Sequence, residues 1–482
     1  MCWPSGPLEI ARRQKAEGFT AQARQVLDYW HGAAALEILA GTPVNSLVIS
    51  WAAGLAEDAA QQQTVRPLVS AARQRNLAVI GWVEGQADSK AAIAAAQAAG
   101  LTGVAVQGFR GKSDFPVIPW GDRAHAPWES TAPVLPVTDN VWPGAAAGRR
   151  DDPTAGPTGV PWLDTNGWYI QLARARTQSA VWVLFDPPGK GTVVPAQSYP
   201  LAVCDAEAAG GRWVISLDDN LRAGLAGKNA AASGAWKSVT DAVAFFERHR
   251  DWKSYRSLGV VGVMSDFSGE NYDFSGEILN LTARRDIPFR VLWNSGARVP
   301  SLAGLKALIW ADSAQPGKQL RASMLNFVEQ GGILVTGPNW GPEGKAGTGG
   351  HPRFDVRALG KGRLAVAREA LADPYQMVSD TQILLSHSND VAKLFNGSAS
   401  GGFHYTGSQD GKRALLQLLT YATSGRAANL ATAWTRRKYR SARFWAIDAS
   451  GPVPVEQAEC EDGGVEYHLP PMPAYAALDF EV

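Results

Sequence analysis

Short apolar runs alternate with helix-like segments between Leu47 and about Arg250. Each apolar run is nearly continuous, as expected of a strand that is buried on both faces, and the segments between them carry apolar residues at helical spacing. The alternation predicts parallel strands that are connected and covered by helices. The six predicted strands are LVISWA (47–52), LAVIGWVEG (77–85), LTGVAVQGF (101–109), PVLPVTDN (133–140), AVWVLFDP (180–187) and RWVISLDD (212–219).

The first forty-five residues are predicted to be mostly helix, with AQARQVLDYWHGAAALEILAG ending at Gly41. A seventh or eighth strand can be hidden there or missing. The pattern favours an α/β fold of the TIM-type (β/α)8 barrel class, complete or incomplete, because polar residues follow the strands as a barrel site requires. An open doubly wound sheet is the alternative. In both folds, ligands bind at the carboxyl ends of the strands.

The pattern changes near Tyr255, which gives a predicted first domain of residues 1–255. LGVVGVMSDF (258–267) opens a second series of strands and helices, which predicts a flavodoxin-like doubly wound domain over 256–425 with a Gly-rich surface loop at 341–351. Alternating apolar residues and turns follow, and predict a small β-sandwich over 426–482. We expect Tyr475, Ala477 and Phe480 inside that sandwich.

Composition and charge exclude several classes of partner. Forty-six basic residues nearly balance forty-five acidic ones, and the richest basic run, 436–440, is too short to follow a phosphate backbone, so we expect no nucleic acid. Three widely spaced cysteines and seven histidines without an HExxH motif predict neither a disulfide framework nor a metal site, and no cofactor motif is present.

The chain contains no run of about 18 apolar residues, so we expect no membrane-spanning helix. Its start, MCWPSGPLEIARR, lacks the apolar core of a signal peptide, and the compartment stays open. With 482 residues, a length prior of roughly 150 residues per domain predicts two to four domains.

Carboxylates follow the predicted strands of the first domain. Hydrolysis of a glycoside needs one carboxyl group that protonates the leaving group and a second that acts as nucleophile or base. The candidate catalytic residues are Glu84, Asp139, Asp186 and Asp218. These residues also have structural interpretations. Asp186 can form a turn before two prolines. Only one of Asp218 and Asp219 can face inward, which leaves the other for a loop or an Arg partner.

Tryptophan is the one clear excess in the composition, with eighteen residues, and many lie where strands end. An exposed Trp face can stack on the C–H face of a sugar, whereas a buried Trp needs a partner for its N–H group. The stretch GVPWLDTNGW (159–168) combines two Trp with an acid and an amide, although Asp164 can equally cap the following helix. The predicted sugar contacts are Trp82, Asn140, Trp142, Asp164, Asn166 and Trp168.

The order of parts, with EQGGILVTGPNWG in the second domain and YHLPPMPAYAALDF near the end, resembles multidomain glycoside hydrolases such as microbial beta-galactosidases. The resemblance implies a middle domain similar to class I glutamine amidotransferases, through which the chain can form a homo-oligomer. All three cysteines lie outside 256–425, so that domain lacks a nucleophile and glutaminase activity is not expected. The barrel region also lacks the Asn-Glu pair of the beta-galactosidases, so their catalytic residues do not transfer.

The sequence therefore predicts a glycoside hydrolase that acts on a carbohydrate through two carboxylates at strand ends. The alternative is a non-catalytic carbohydrate-binding or oligomeric scaffold protein with a degenerate barrel site. The sugar, its linkage and the stereochemical outcome stay open.

Overall fold

The computed structural model describes residues 1–4, 6–15, 19–146, 162–188, 194–341, 343–346, 350–370, 373–395, 401–421 and 431–482. The chain forms two compact units. The first unit comprises Met1–Trp142, Thr177–Glu207 and Gly211–His249, and the second comprises Pro143–Arg176, Ala208–Gly210 and Arg250–Val482. Residues 159–161 of GVPWLDTNGW and parts of the Gly-rich loop 341–351 lie outside the described residues.

The structure describes the following helices and strands in chain order. The α-helices are α1 (Gly6–Gln14), α2 (Ala21–His31), α3 (Asp58–Thr64), α4 (Arg66–Gln74), α5 (Ser89–Ala99), α6 (Gly167–Arg176), α7 (Ser198–Ala208), α8 (Asp219–Ala226), α9 (Ala230–Arg248), α10 (Asn271–Arg284), α11 (Lys318–Glu329) and α12 (Pro374–Leu385). Short 3-10 helices occupy Ala33–Leu39, Arg250–Ser254, Pro338–Trp340 and His387–Asn389. The β-strands are β1 (Cys2–Trp3), β2 (Ser46–Ala52), β3 (Ala78–Val83), β4 (Gly103–Gln107), β5 (Val117–Trp120), β6 (Val134–Val137), β7 (Gly144–Ala146), β8 (Trp162–Asp164), β9 (Ala180–Val183), β10 (Arg212–Trp213), β11 (Arg256–Ser257), β12 (Val261–Ser265), β13 (Phe289–Trp293), β14 (Ala307–Trp310), β15 (Ile333–Thr336), β16 (Lys345–Ala346), β17 (Phe354–Leu359), β18 (Gly362–Ala367), β19 (Ala392–Phe395), β20 (Gly401–Gly407), β21 (Arg413–Thr420), β22 (Thr432–Thr435), β23 (Ser441–Ala446), β24 (Val453–Pro454), β25 (Glu456–Glu459), β26 (Val465–His468) and β27 (Tyr475–Glu481).

The first unit holds two parallel sheets, of order β1-β2-β3-β4-β5 and β10-β9-β6. Backbone contacts link these sheets at both of their edges. A parallel bridge joins Gly121 to Val137, and the Cys2 backbone N–H donates to the Ile215 carbonyl oxygen at 2.8 Å. The predicted α/β organisation, with parallel strands and covering helices, is confirmed. Of these eight strands, β5 was not predicted, and β1 lies within the first forty-five residues, where the sequence left a hidden strand open.

Side chains alternate between the two faces of these strands, as a period of two requires. On one face, Trp51 is fully buried and its indole N–H donates to the Ala92 carbonyl oxygen of α5 at 2.9 Å. On the other face, strands of both sheets contribute to one apolar cluster. Its members are Ile80, Ala105 and Trp120, with the partly buried Trp82, Ile118 and Trp182 packed against them.

A seven-stranded sheet of order β13-β12-β14-β15-β18-β17-β16 lies in the second unit. The first five strands are parallel and, renumbered along the chain, have the order 2-1-3-4-5, while β17 and β16 are antiparallel to their neighbours. Val261, Val263 and Ile309 join a core with residues of α10 and α12, whereas Met264 and Leu308 join a core with residues of α11. Helices therefore cover both faces.

Two antiparallel sheets follow in the second unit, of order β11-β20-β21-β27-β23-β24 and β19-β22-β26-β25. Both contribute side chains to a common core. Tyr475, Ala477 and Phe480 have no exposed surface, so their predicted burial is confirmed.

The predicted domain boundaries differ from these units in two places. The predicted boundary at 425 falls between β21 and β22, inside the region of the two antiparallel sheets. The strands from Ala392 onward already pair within these sheets, so the sheets extend across the predicted boundary. The segment 143–176, predicted within the first domain, belongs to the second unit, where Leu172 of α6 packs into the core of the seven-stranded sheet. None of the described helices is long and apolar enough to cross a membrane.

Candidate functional site

Glu84 directly follows β3 and lies at the edge of a pocket at the carboxyl ends of β3 and β4. Its position two residues after Trp82 places it on the side of the strand that carries Ile80 and Trp82. The pocket has a volume of about 290 Å³. Its lining residues are Val83, Glu84, Gly85, Ala87, Ser89, Val106, Gln107, Gly108, Phe109 and Arg110.

The carboxylate of Glu84 is paired with a guanidinium from α1. Arg12 Nη2 donates to Glu84 Oε1 at 2.7 Å, with the two side chains 35% and 42% exposed. The neighbouring Arg13 pairs with Glu9 and with Asp219. Helix α1 therefore connects the end of β3 with the start of α8.

Asp139 and Asn140 follow β6. Asp139 is exposed and has a positive φ of 59°. The Asn140 amide donates to the carbonyl oxygens of Val137 at 2.7 Å and Leu184 at 3.3 Å, and its oxygen accepts from Arg123 Nε at 3.0 Å. Asn140 thus joins the ends of β6 and β9, a structural role that sequence reasoning did not predict.

Asp186 and Asp218 follow the neighbouring strands β9 and β10. Asp186 Oδ1 accepts a hydrogen bond from Ser216 Oγ at 2.5 Å. Asp218 is the N-cap of α8: its Oδ1 accepts from the Leu221 backbone N–H at 2.7 Å, and its Oδ2 accepts from the Tyr199 hydroxyl at 2.7 Å. Burial and the hydrogen bond to Asp218 raise the pKa of Tyr199 far above its usual range, so Tyr199 stays a donor.

Two aromatic groups lie among these strand ends. Trp142 packs edge-on against the rings of Phe185, Tyr199 and Trp213, at centroid distances of 5.9, 5.4 and 5.6 Å. Trp82 stacks on Trp120 at 4.4 Å. Both predicted sugar contacts are therefore partly covered by other rings, which leaves each only part of its surface for a ligand.

The other three predicted sugar contacts belong to the second unit. Asp164 is exposed at the end of β8, and Asn166 is fully buried. Asn166 rather than Asp164 immediately precedes α6, and its carbonyl oxygen accepts from the Ile170 N–H at 3.0 Å. Trp168 lies against α10, where a Cβ on Gly276 would be 2.8 Å from the indole ring. The structure thus assigns these residues and the strand ends of β3, β6, β9 and β10 to different units.

A polar group on α10 that the sequence did not predict, the carboxyl of Glu277, lies near Asp164. Burial raises the pKa of Glu277 to about 7, while the hydrogen bond from Asn280 and the charge of Arg284 lower it and the charges of Asp164 and Asp373 raise it further. Thr165 Oγ1 donates to Asn280 Oδ1 at 3.3 Å. The buried side of α10 includes the polar residues Ser275, Asn280 and Thr282 as well as apolar ones, so the sequence pattern alone does not distinguish Glu277 from a surface glutamate.

Among the described residues, no three His, Cys, Asp or Glu side chains are grouped to hold a metal ion. Cys2, Cys204 and Cys460 are free cysteines.

No protein-family model matches the chain, and no curated protein matches it. The structure is similar to that of alpha-L-fucosidase isoenzyme 2 from Paenibacillus thiaminolyticus, with a TM-score of 0.58 and 10% identity over 97% of this chain and 98% of that chain. This similarity shows a common fold.

Two further similarities are weaker. Beta-galactosidase from Bacillus circulans sp. alkalophilus has a TM-score of 0.44 at 10% identity, over 89% of this chain and 68% of that chain. Exo-beta-1,4-mannosidase from Opitutaceae bacterium strain TAV5 has a TM-score of 0.45 at 13% identity, over 72% and 89%. Neither supports a conclusion by itself.

Proposed function

We propose that the protein is a glycoside hydrolase whose site lies at the carboxyl ends of the parallel strands of the first unit. The observation that carries the proposal is the series of carboxylates that follow β3, β6, β9 and β10, the first of which, Glu84, lines a pocket of about 290 Å³. Ligand sites usually measure roughly 300–1,000 Å³. The volume of this pocket is at the lower limit of that range, which suits a small ligand of about one sugar ring. The similarity in fold to an alpha-L-fucosidase over nearly the whole chain supports the same reaction class.

We further propose that the eight strands of the first unit form a (β/α)8 barrel. The bridge between Gly121 and Val137 and the hydrogen bond from Cys2 to Ile215 support closure, because each joins a strand end of one sheet to the other sheet. The strand order 2-1-3-4-5 supports a flavodoxin-like, amidotransferase-like middle domain, and the common core of the two antiparallel sheets supports a β-sandwich. Homo-oligomer formation through the middle domain is part of the proposal.

Glu84 and Asp186 are the preferred pair of reacting carboxylates. Asp218 uses both carboxylate oxygens, one to cap α8 and one to accept from Tyr199. Asp139 is exposed, as Asp186 is, but makes no hydrogen bond among the described residues, so no contact positions its carboxylate. Glu84 lines the pocket, and Asp186 has one oxygen engaged, by Ser216. A retaining mechanism needs the two carboxyl groups about 5 Å apart and an inverting one roughly 6.5–9.5 Å.

The test is hydrolysis of a panel of aryl glycosides by the wild type, Glu84→Gln and Asp186→Asn. Loss of an acid, base or nucleophile lowers kcat by roughly 10²–10⁴-fold. Asp114→Asn, an exposed aspartate of the first unit, is the matched control and should keep the wild-type rate. Wild-type rates in both Glu84→Gln and Asp186→Asn remove this pair from the mechanism.

A non-catalytic carbohydrate-binding protein is the second candidate. Two observations favour it: the ion pair of Glu84 with Arg12, and the capping role of Asp218. In each case a candidate catalytic carboxylate stabilises the fold. Glycan binding without turnover of any member of the panel would support this candidate over the hydrolase.

A further inference from the structure

The loop that follows β4 forms one wall of the pocket beside Glu84 and is held in place by its own contacts. The Gly108 N–H donates to the Trp120 carbonyl oxygen at 2.9 Å, and Gly108 has a φ of 58°, which an L-residue rarely adopts. The Phe109 ring packs on the backbone of Gly111, where a Cβ would lie 2.8 Å from Phe109 Cζ. The loop therefore presents Arg110 to the pocket from a fixed backbone.

The two charged residues that line this pocket, Glu84 and Arg110, differ in their partners. Glu84 is already paired with Arg12. Arg110 lines the pocket and is exposed, and in the part of the chain that the structure describes it makes no hydrogen bond or ion pair. The start of α5 is occupied by Asp88, whose carboxylate accepts from the Lys90 and Ala91 N–H groups. Of the two charged residues that line the pocket, Glu84 and Arg110, only Arg110 has no ion-pair partner among the described residues.

Neutral polar groups complete the wall. The Gln107 side chain lies against Gly85, with its Oε1 only 2.5 Å from the position of a Cβ there. A guanidinium offers a planar pair of donors that matches a carboxylate or a sulfate, and hydrogen bonds between charged groups are about twice as strong as neutral ones. An amide such as that of Gln107 suits hydroxyl groups, which both donate and accept.

We infer that this pocket selects a negatively charged sugar unit, whose carboxylate or sulfate group binds Arg110 while ring hydroxyls contact Gln107 and Glu84. The inference rests on the proposed function, since it names the substrate class of the same site. The pocket holds about one ring, so the charged unit is a single terminal residue. Arg110 determines specificity and takes no part in proton transfer.

Calorimetric titration tests the inference with D-glucuronate and D-galacturonate as carboxylate probes, D-galactose 6-sulfate as the sulfate probe, and D-glucose and D-galactose as neutral probes. We expect at least one anionic sugar to bind the wild type about 10- to 100-fold tighter than its neutral counterpart at low salt. Arg110→Gln should abolish that preference. Lys112→Gln is the matched control, because Lys112 is exposed two residues away and does not line the pocket.

The outcomes separate this inference from the proposed function. Equal binding of neutral and anionic sugars, or an anion preference that Arg110→Gln leaves intact, overturns the inference. If neutral aryl glycosides are hydrolysed without any preference for charge, the inference falls and the hydrolase stands. If anionic sugars bind through Arg110 but no glycoside is hydrolysed, charged or neutral, the inference stands and the hydrolase falls. A circular dichroism spectrum that matches the wild type shows that Arg110→Gln is folded.

Discussion

Glu277 makes the stability of the second unit depend on pH in a direction that is unusual for a carboxylate. Burial raises the pKa of Glu277 to about 7 from an ordinary value of 4.5. The charges of Asp164 and Asp373 also raise this pKa, whereas the hydrogen bond from Asn280 and the charge of Arg284 lower it. The folded state therefore holds a proton between pH 4.5 and 7 that the unfolded state has lost. Stability contributed by the protonated form is complete below pH 4.5 and is lost as the pH rises through 7.

Replacing Glu277 by Gln keeps the neutral form at every pH. A shift in pKa from 4.5 to about 7 means that ionising this carboxyl lowers the free energy of unfolding by up to about 3 kcal/mol. Partial solvation of the half-buried side chain reduces this loss to about 1–2 kcal/mol. We expect Glu277→Gln to raise Tm at pH 8 by roughly 2–8 °C and to leave it unchanged at pH 4.5, measured by thermal unfolding monitored by circular dichroism.

Glu456→Gln is the control for this measurement, because Glu456 lies exposed on β25. It should change Tm equally little at both pH values. A Glu277→Gln variant with the same Tm as the wild type at pH 8, or with a gain that is equally large at pH 4.5, refutes the reasoning from burial.

Two further predictions concern hydrogen bonds. Asp218→Ala removes the cap of α8 and the acceptor of the Tyr199 hydroxyl, so it should lower the free energy of unfolding by about 1–3 kcal/mol in urea. Asp218→Asn keeps a capping oxygen and should lower it by much less; equal losses would contradict the capping role. The buried Tyr475 hydroxyl donates to Gln417 Oε1 at 2.8 Å, so Tyr475→Phe should cost about 1–3 kcal/mol by the same measurement, and an unchanged midpoint would show that this amide oxygen finds another donor.

The period of the apolar residues identified most of the strands but not the shortest ones. β1 has two residues and β5 has four, including Pro119, so neither gives a run long enough to recognise. Both become strands by pairing with a neighbour in the sheet: β1 pairs with β2, which is distant in the sequence, and β5 pairs with β4, the strand that precedes it. Such pairing is a property of the folded unit, which a local pattern does not contain.

The candidate site was predicted only in part for a related reason. An apolar helix face shows that a helix packs, but not on which core it packs, and α6 looks like any helix that follows a strand of the first unit. Its Leu172 instead joins the core of the seven-stranded sheet, and this carries Asp164 and Trp168 into the second unit. Residues 162–168 of GVPWLDTNGW therefore belong to a different unit from the carboxylates with which their composition associated them.

Neighbouring side chains likewise decide which strand-end residues are available. Spacing alone placed Asp218 and Asp186 alike after strands, but only Asp218 precedes a helix closely enough to cap it. Asn140 has the residue type of a sugar contact, yet its amide is taken by backbone carbonyl groups. The loop with Arg110 carried no signal in the sequence, because its exposed arginine becomes notable only beside a glutamate that is already paired.

The rate of glycoside hydrolysis in Asp186→Asn, compared with Asp164→Asn, tests the central claim most directly. Both variants replace one exposed aspartate near the end of a strand, but Asp186 belongs to the first unit and Asp164 to the second. On the best substrate of the panel, we predict that Asp186→Asn lowers kcat by roughly 10²–10⁴-fold and that Asp164→Asn keeps the wild-type rate. A fall of that size in Asp164→Asn, with a normal rate in Asp186→Asn, would contradict a site at the strand ends of the first unit.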